Sequence, residues 1–479
     1  MSSSRMSVGR VSKGSVPPSV PKAGVEFEGD DDFVDDGGQA AEDIGKSFVF
    51  RNTLTESEVE ALERWKRSQN DDDEEQYPLS SKQRNVTYGD IKKPQQSVQL
   101  GPDSEALCIA ASCSGNMLAV GGRHGTVRFF HPHNLEPMDT IRISELASSS
   151  TSTSSPSSVS TLASRQSIVR RQTVPGGLMG SAGEGVVTSV CFRPDLRASR
   201  MQNLLLAAQG DAIVHLHVGT RRVVHVNNEE GNRINTLAMR QDGAIFASGG
   251  SDCVVRAYDE ATCSLCRTLD HGDGVTTTGH TNHVFSLAWH PDDPQVLLSG
   301  SWDNRVLVWD LRVHRSVRSI SGPHICGDAV DIHPGTNLVL TGSWRSNNPL
   351  QLWDLGSSRL LTNLPWWQPE PDGCLIYAAR FGTGLAAGTV IAGGSGTKPM
   401  VRVYKLNGPG NVELQFTVRL QRPVHALTLV QAAAGSVGGD PGHLQQQAQA
   451  PILAMCCDEE VHTMTLSAGG SPLWNGGSK

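Results

Sequence analysis

Residues 279 to 320 hold the pattern that decides the fold. They read Gly279-His280, then Val284-Phe285-Ser286-Leu287-Ala288-Trp289, His290-Pro291-Asp292, Val296-Leu297-Leu298-Ser299-Gly300, Ser301-Trp302-Asp303-Asn304, Arg305-Val306-Leu307-Val308-Trp309-Asp310 and finally Ser316 to Ile320. Short runs of β-branched, aromatic and leucyl residues are separated by Gly, Pro, Asp and Asn, residues that turn a chain rather than extend it. Four strands within about 40 residues is the length of one propeller blade.

The same frame recurs on both sides. Residues 322 to 364 repeat it with Ile332-His333-Pro334, Leu340-Thr341-Gly342-Ser343-Trp344 and Leu352-Trp353-Asp354, and residues 229 to 270 with Ala247-Ser248-Gly249-Gly250-Ser251-Asp252 and Tyr258-Asp259. Further copies span 104 to 143, 185 to 226, 372 to 420 and 421 to 466. The Gly279-His280 opening and the Trp309-Asp310 close resemble the WD40 family. That resemblance implies an all-β, seven-bladed WD40 β-propeller over residues 104 to 466. The last copy has only three strand-like runs, so a segment from the N-terminal side, Phe48-Val49-Phe50 or Ser97-Val98-Gln99-Leu100, is expected to supply its fourth strand and remove an open sheet edge.

Outside this frame the composition changes. Residues 1 to 46 are rich in Ser, Gly, Pro and Asp and lack the apolar content to offset chain entropy, so a disordered acidic tail is expected. Residues 47 to 103 read as a short helix and linker: Thr55-Glu56-Ser57-Glu58 has the form of a capping box, with Val59, Leu62 and Trp65 spaced to share a helix face. A Ser/Thr-rich insertion over 144 to 184, an Ala/Gly/Gln-rich loop over 432 to 449 and a C-terminal tail over 467 to 479 are also expected to be disordered.

Charge and cysteine usage narrow the function classes. Residues 1 to 100 carry 19 acidic and 13 basic side chains, net −6, and the remainder 30 and 28, net −2. A nearly neutral body argues against an extended nucleic-acid surface, which requires clustered Lys and Arg. No run reaches the roughly 18 apolar residues of a membrane-spanning helix, and the polar N-terminus has no secretory apolar stretch. Several of the ten cysteines sit inside apolar strand-like runs, as small hydrophobes do in a reducing compartment. A cytoplasmic location is expected, with the nucleus, cilium and cytoskeleton as alternatives.

None of the candidate catalytic patterns is complete. Resemblance assigns His280, Ser299, Asp303 and Trp309 to the family's structural hydrogen-bond tetrad; a hydrolase would need a nucleophile elbow that is absent. Cys263-Ser264-Leu265-Cys266 has metal or redox spacing without a second ligand pair, and the histidine pairs His215 with His217 and His280 with His283 lack a third ligand. Gly393 to Lys398 lacks the order of a phosphate loop and reads as a hairpin turn. No catalytic residue, cofactor or metal is therefore expected.

Function is then expected from surface. Aligning the repeats puts Arg123, Ser251, Trp302 and Trp344 at one turn position, with Arg345 beside the last and Trp366 and Trp367 in a following loop. Trp and Arg dominate interface energetics, so these residues are the candidate contacts for partner proteins or peptides, the tryptophans having packing against neighbouring loops as the alternative. Ser167 and Thr173 follow arginines as kinase substrates do and are candidate phosphosites. The reading is a non-enzymatic scaffold or adaptor whose N-terminal tail and helix add a second contact. The alternative is a structural subunit of a large assembly, such as a cytoskeletal or ciliary complex or a ubiquitin-ligase substrate receptor.

Overall fold

A computed structural model describes residues 90–101, 104–149, 185–194, 203–275, 277–366, 374–408, 411–431 and 450–466. Two short strands come first, β1 (Asp90–Lys92) and β2 (Gln96–Gln99). Blade 1 follows as β3 (Ala106–Ala111), β4 (Leu118–Gly122), β5 (Thr126–Phe130) and β6 (Pro137–Arg142), and blade 2 as β7 (Val187–Phe192), β8 (Leu204–Gln209), β9 (Ala212–His217) and β10 (Arg222–Asn228). Blade 3 is β11 (Ile234–Met239), β12 (Ile245–Gly250), β13 (Val255–Asp259) and β14 (Ser264–Leu269). Blade 4 is β15 (Val284–Trp289), β16 (Val296–Ser301), β17 (Arg305–Asp310) and β18 (Arg315–Ser321), and blade 5 is β19 (Val330–Ile332), β20 (Leu338–Gly342), β21 (Leu350–Asp354) and β22 (Arg359–Asn363). Blade 6 is β23 (Leu375–Phe381), β24 (Thr389–Ser395), β25 (Met400–Gly408) and β26 (Asn411–Arg419); β27 (Val424–Val430), β28 (Ile452–Cys457) and β29 (Glu460–Thr465) belong to blade 7.

Each blade is an antiparallel meander in chain order, and the first strand of each lies against the first strand of the next, from β3 round to β27 and back to β3. The closing strand is β2, which pairs antiparallel with β29 through Gln96 with Thr463 and Val98 with Val461. Phe48-Val49-Phe50 and the predicted helix at Thr55 to Trp65 lie outside the described residues. β1 adds a fifth strand to blade 6, pairing in parallel with β26.

The apolar core sits between the blades. Seven buried clusters span the seven interfaces, such as Ala247, Val255 and Leu269 of blade 3 against Val284, Leu297 and Trp309 of blade 4. Close approach depends on one position in the second strand, a glycine in five of the blades. At Gly300 an added Cβ would lie 2.7 Å from Val330 Cγ2 of the next blade. Gly121, Gly249, Gly342 and Gly393 occupy the same register against Val187, Val284, Ile376 and Val424. Blade 7 has Cys456 there, and the strand it faces opens with Ala106 in place of a branched residue. Larger in one wall is matched by smaller in the other.

The insertion after blade 1 departs from the expected boundary, because it starts as a helix, α1 (Ile143–Ser149). Ile143 is buried and Leu146 packs on the same cluster, an i, i+3 pair that ties the helix to blades 1 and 2. Gly396 to Pro399 forms the turn between β24 and β25, and all ten cysteines are free thiols.

Gly300→Val should lower the unfolding free energy by about 1–3 kcal/mol, the usual cost of overpacking a close-packed site, read by chemical denaturation. A variant as stable as the parent would contradict the interlock.

Candidate interaction face

The first strands are not regular. In six blades the pairing between first and second strand skips one residue, leaving Leu107, Thr188, Asn235, Phe285, Tyr377 and His425 as β-bulges at equivalent places. A bulge turns a side chain out of the ladder. All six lie at the end of the blade where the loop entering the first strand meets the turn between the second and third. Thr188 Oγ1 donates to Ile234 O at 2.6 Å and Asn235 Nδ2 to Val284 O at 3.2 Å, each reaching the following blade. Phe285 packs on Trp302, and Tyr377 lies near both Trp344 and His425.

Behind this end, buried polar networks pin the entry loop to the turn. In blade 4, Trp309 Nε1–H donates to Ser299 Oγ at 2.7 Å, Ser299 Oγ–H to His280 Nε2 at 2.6 Å, and His280 Nδ1–H to Asp303 Oδ2 at 2.8 Å. Blade 3 builds the same brace from other residues. Glu229 stands 19 residues before Ser248, as His280 stands 19 before Ser299, and its carboxylate accepts bonds from Ser248, Tyr258, Asn232 and Arg256. Arg256 also pairs with Asp252, so the buried acid is neutralised and its oxygens satisfied. Sequence reading passed over Glu229, although its spacing to Tyr258 repeats that of His280 to Trp309. Blade 5 keeps only Trp353 Nε1–H donating to Thr341 Oγ1 at 3.0 Å.

The predicted contact residues take varied places. Arg123 pairs with Glu105 at 3.2 Å, and Ser251 Oγ accepts from Arg233 N. Arg345 is half-buried and pins its own loop by donating to Gly322 O, Asn348 O and Gln351 Oε1. Trp302 and Trp344 are only 7% and 5% exposed. Trp302 is stacked between His283 and His324, with ring centroids 5.4 and 6.2 Å away. Trp366 is separate from them, buried between blades 5 and 6, with its indole N–H on Cys374 O and the Arg402 guanidinium over its ring. These three indoles are buried and form the floor of this end, as flat apolar rings do when they fill gaps between neighbouring loops. Trp367, Ser167 and Thr173 lie outside the described residues.

Cys263 and Cys266 are parted by the strand geometry, Cys263 in a turn with φ of 55° and Cys266 on β14. His215 is buried and bonded through Nε2 to Asn227, whereas His217 accepts from Thr220 N. Among the described residues no group of three His, Cys, Asp or Glu is arranged to hold a metal ion. Between blades 5 and 6, Arg380 pairs with Asp328 of the loop entering β19, and Asp331 accepts from Phe381 N; burial raises the Asp331 pKa.

Residues 221–259 and 273–310 match the family model described as "WD domain, G-beta repeat". Among curated relatives, the "Small ribosomal subunit protein RACK1" of Dictyostelium discoideum is 37% identical over 86 residues, covering 16% of this chain and 25% of that protein. "Nuclear distribution protein PAC1" of Komagataella phaffii is 28% identical over 142 residues, covering 29% and 27%. The matches thus span about a quarter of these relatives' lengths. Among solved structures, a chain in "Crystal Structure of Mitotic Checkpoint Complex" superposes with a TM-score of 0.55 at 14% identity, covering 80% of this chain and 94% of that one, a likeness of fold. The chain is a seven-bladed β-propeller with WD40 repeats at residues 221–259 and 273–310. No helix among the described residues is long and apolar enough to cross a membrane.

Two tests follow from the braces. Ser299→Ala leaves the Trp309 N–H and His280 without their shared hydroxyl and should cost about 1–3 kcal/mol; a loss near zero in chemical denaturation would mean that the network does not carry load. Burial pushes the pKa of His215 and His324 from 6.5 down to about 4, with the Arg345 cation adding to the effect at His324. Between those values the unfolded chain binds protons that the folded chain does not, so stability is full above pH 6.5 and falls as pH drops towards 4. His324→Phe keeps an aromatic ring beside Trp302 and should retain at pH 4.5 a larger share of its pH 7 stability than the parent. Equal fractional losses would contradict this assignment.

Proposed function

We propose that this chain is a non-enzymatic adaptor that holds partner proteins or peptides over the end of the ring formed by the entry loops and the turns between second and third strands. The observation that carries the reading is the combination at that end of a bulge in six blades with buried braces beneath the turns. A pre-ordered loop face loses little conformational entropy when a partner docks, so more of each contact appears as affinity. Of the bulged side chains, Leu107, Phe285, Tyr377 and His425 are buried and fill the space beneath the loops, and Thr188 and Asn235 are half-buried and tie one blade to the next, so the bulges stiffen the face that the turns and entry loops present. In this reading Arg123 and Arg345 hold the rim. Trp302, Trp344 and Trp366 support it from below, Trp367 adds an aromatic contact, and phosphorylation at Ser167 or Thr173 tunes binding. The ten free thiols fit a reducing location such as the cytoplasm or nucleus.

The names of the similar proteins favour a second reading, a fixed place in a larger assembly. One is named as a ribosomal subunit protein, and the fold neighbour was solved within a checkpoint complex. Purification from native cells separates the two: one stoichiometric, salt-resistant complex supports the fixed subunit, and several salt-sensitive clients support the adaptor.

The face itself can be tested by placing a photo-crosslinking residue at exposed Asn347, on the turn of blade 5, or at exposed Gln241, on the opposite end of blade 3. Partners should be captured at Asn347 at several times the yield at Gln241. Equal yields, or a preference for Gln241, would move the interaction elsewhere.

A further inference from the structure

On the outer side of the ring, an open groove of about 550 Å³ runs from the entry loop of blade 4 along its outer strand to the turn linking β21 and β22 in blade 5. Its polar wall holds two guanidinium groups, Arg305 and Arg318, together with Ser319, Ser321 and Ser358. Among the described residues no carboxylate lines it. Arg305 donates one bond, from Nη1 to Thr278 Oγ1 at 3.1 Å, and Arg318 one, from Nη1 to Leu355 O at 2.9 Å. Both partners are neutral, so each guanidinium keeps most of its N–H groups for another acceptor. The nearby carboxylate of Asp354 accepts from Ser357 N at 2.8 Å and Ser357 Oγ at 2.5 Å, bonds that lower its pKa, with the Arg318 cation adding a smaller contribution, so Arg305 is the guanidinium with no acid beside it in the groove. Contrast Arg312, Arg256 and Arg380, each paired with an acid.

The second observation is the Ser319 hydroxyl. Its oxygen is buried and has no hydrogen-bond partner. A buried polar atom left unsatisfied costs free energy, so it marks a place where a ligand can contribute a bond. At the groove edge Val275 is 90% exposed and Val317 39% exposed, apolar surface beside the polar wall.

We propose that this groove binds a phosphoserine or phosphothreonine side chain carried by a peptide segment of a partner protein. A phosphoryl group offers three strong acceptor oxygens and close to two negative charges, which two arginines and several hydroxyls complement. A single carboxylate would leave donors unused. The apolar margin at Val275 and Val317 suits side chains flanking the modified residue, which a free anion lacks. The ligand is assigned to a partner in trans, and a peptide copying the chain's own candidate phosphosite Thr173 is the competing arm of the test. The groove is a second site, on the outer side of blades 4 and 5.

The test uses the full chain and two fluorescein-labelled peptide pools, degenerate around a central phosphoserine or around unmodified serine, read by fluorescence anisotropy. The phosphorylated pool should bind at least tenfold more tightly, with inorganic phosphate competing and 0.5 M NaCl weakening the complex. The double variant Arg305→Ala with Arg318→Ala should lose at least tenfold. Ser321→Glu, which adds a carboxylate at an exposed position, should do the same, with thermal unfolding measured for both. Equal binding of the two pools, absence of binding to either, or undiminished binding by folded Ser321→Glu would overturn the proposal. A phosphothreonine peptide copying residues 163–178 that outcompetes the pool would overturn the assignment to a partner.

Discussion

The architecture rests on how closely one blade can approach the next. A β-branched residue opening the first strand of a blade presses onto a second-strand position of the preceding blade where there is no room for a Cβ, with separations of 2.7 Å at Gly249 and Gly300. Such an interlock works only if every interface is formed, because a ring with one open seam leaves two apolar faces in water. The pairing of β2 with β29 supplies that last constraint by joining residues 96 to 99 to the end of the chain. Its loop-closure entropy is offset by the whole ring and not by the short strand itself.

Once the blades are locked, small irregularities acquire consequences. The bulges at Leu107, Thr188, Asn235, Phe285, Tyr377 and His425 put six different side chains at one end of the ring. The two braced blades hold their entry loops with different chemistry: an imidazole between hydroxyl and carboxylate in blade 4, and a buried acid matched by Arg256 in blade 3. The common requirement is that the polar atoms buried within each brace find partners. A propeller can therefore vary residues at its ends without disturbing its core, which lies between the sheets.

Much of the fold was legible in the amino-acid order. Blade 4 could be read from Gly279 to Ile320 because alternation within strands and turn residues between them are local properties. Glu229 was harder to read because an acid replaces the histidine, and only its spacing betrays the equivalence. The role of the tryptophans was less accessible still. Residue type marks Trp302, Trp344 and Trp366 as strong contact formers, whether the contact is with a partner or with a neighbouring loop, and the latter depends on His283, His324 and Arg402 arriving from other strands. Residues 144 to 149 of the helix fall in the Ser/Thr-rich tract, where two apolar residues carry little periodic signal.

By itself, the sequence determined the repeat length, the strand pattern and the need for a closing strand, because these follow from the periodicity of short segments and from the incompleteness of the last copy. Only the tertiary structure decided which segment closes the ring, that the indoles lie beneath the surface, and that Arg305 and Arg318 share a groove with serines of the following blade. These outcomes depend on residues brought together across blade boundaries, and distance along the chain carries no information about which side chains meet when curved sheets pack face to face.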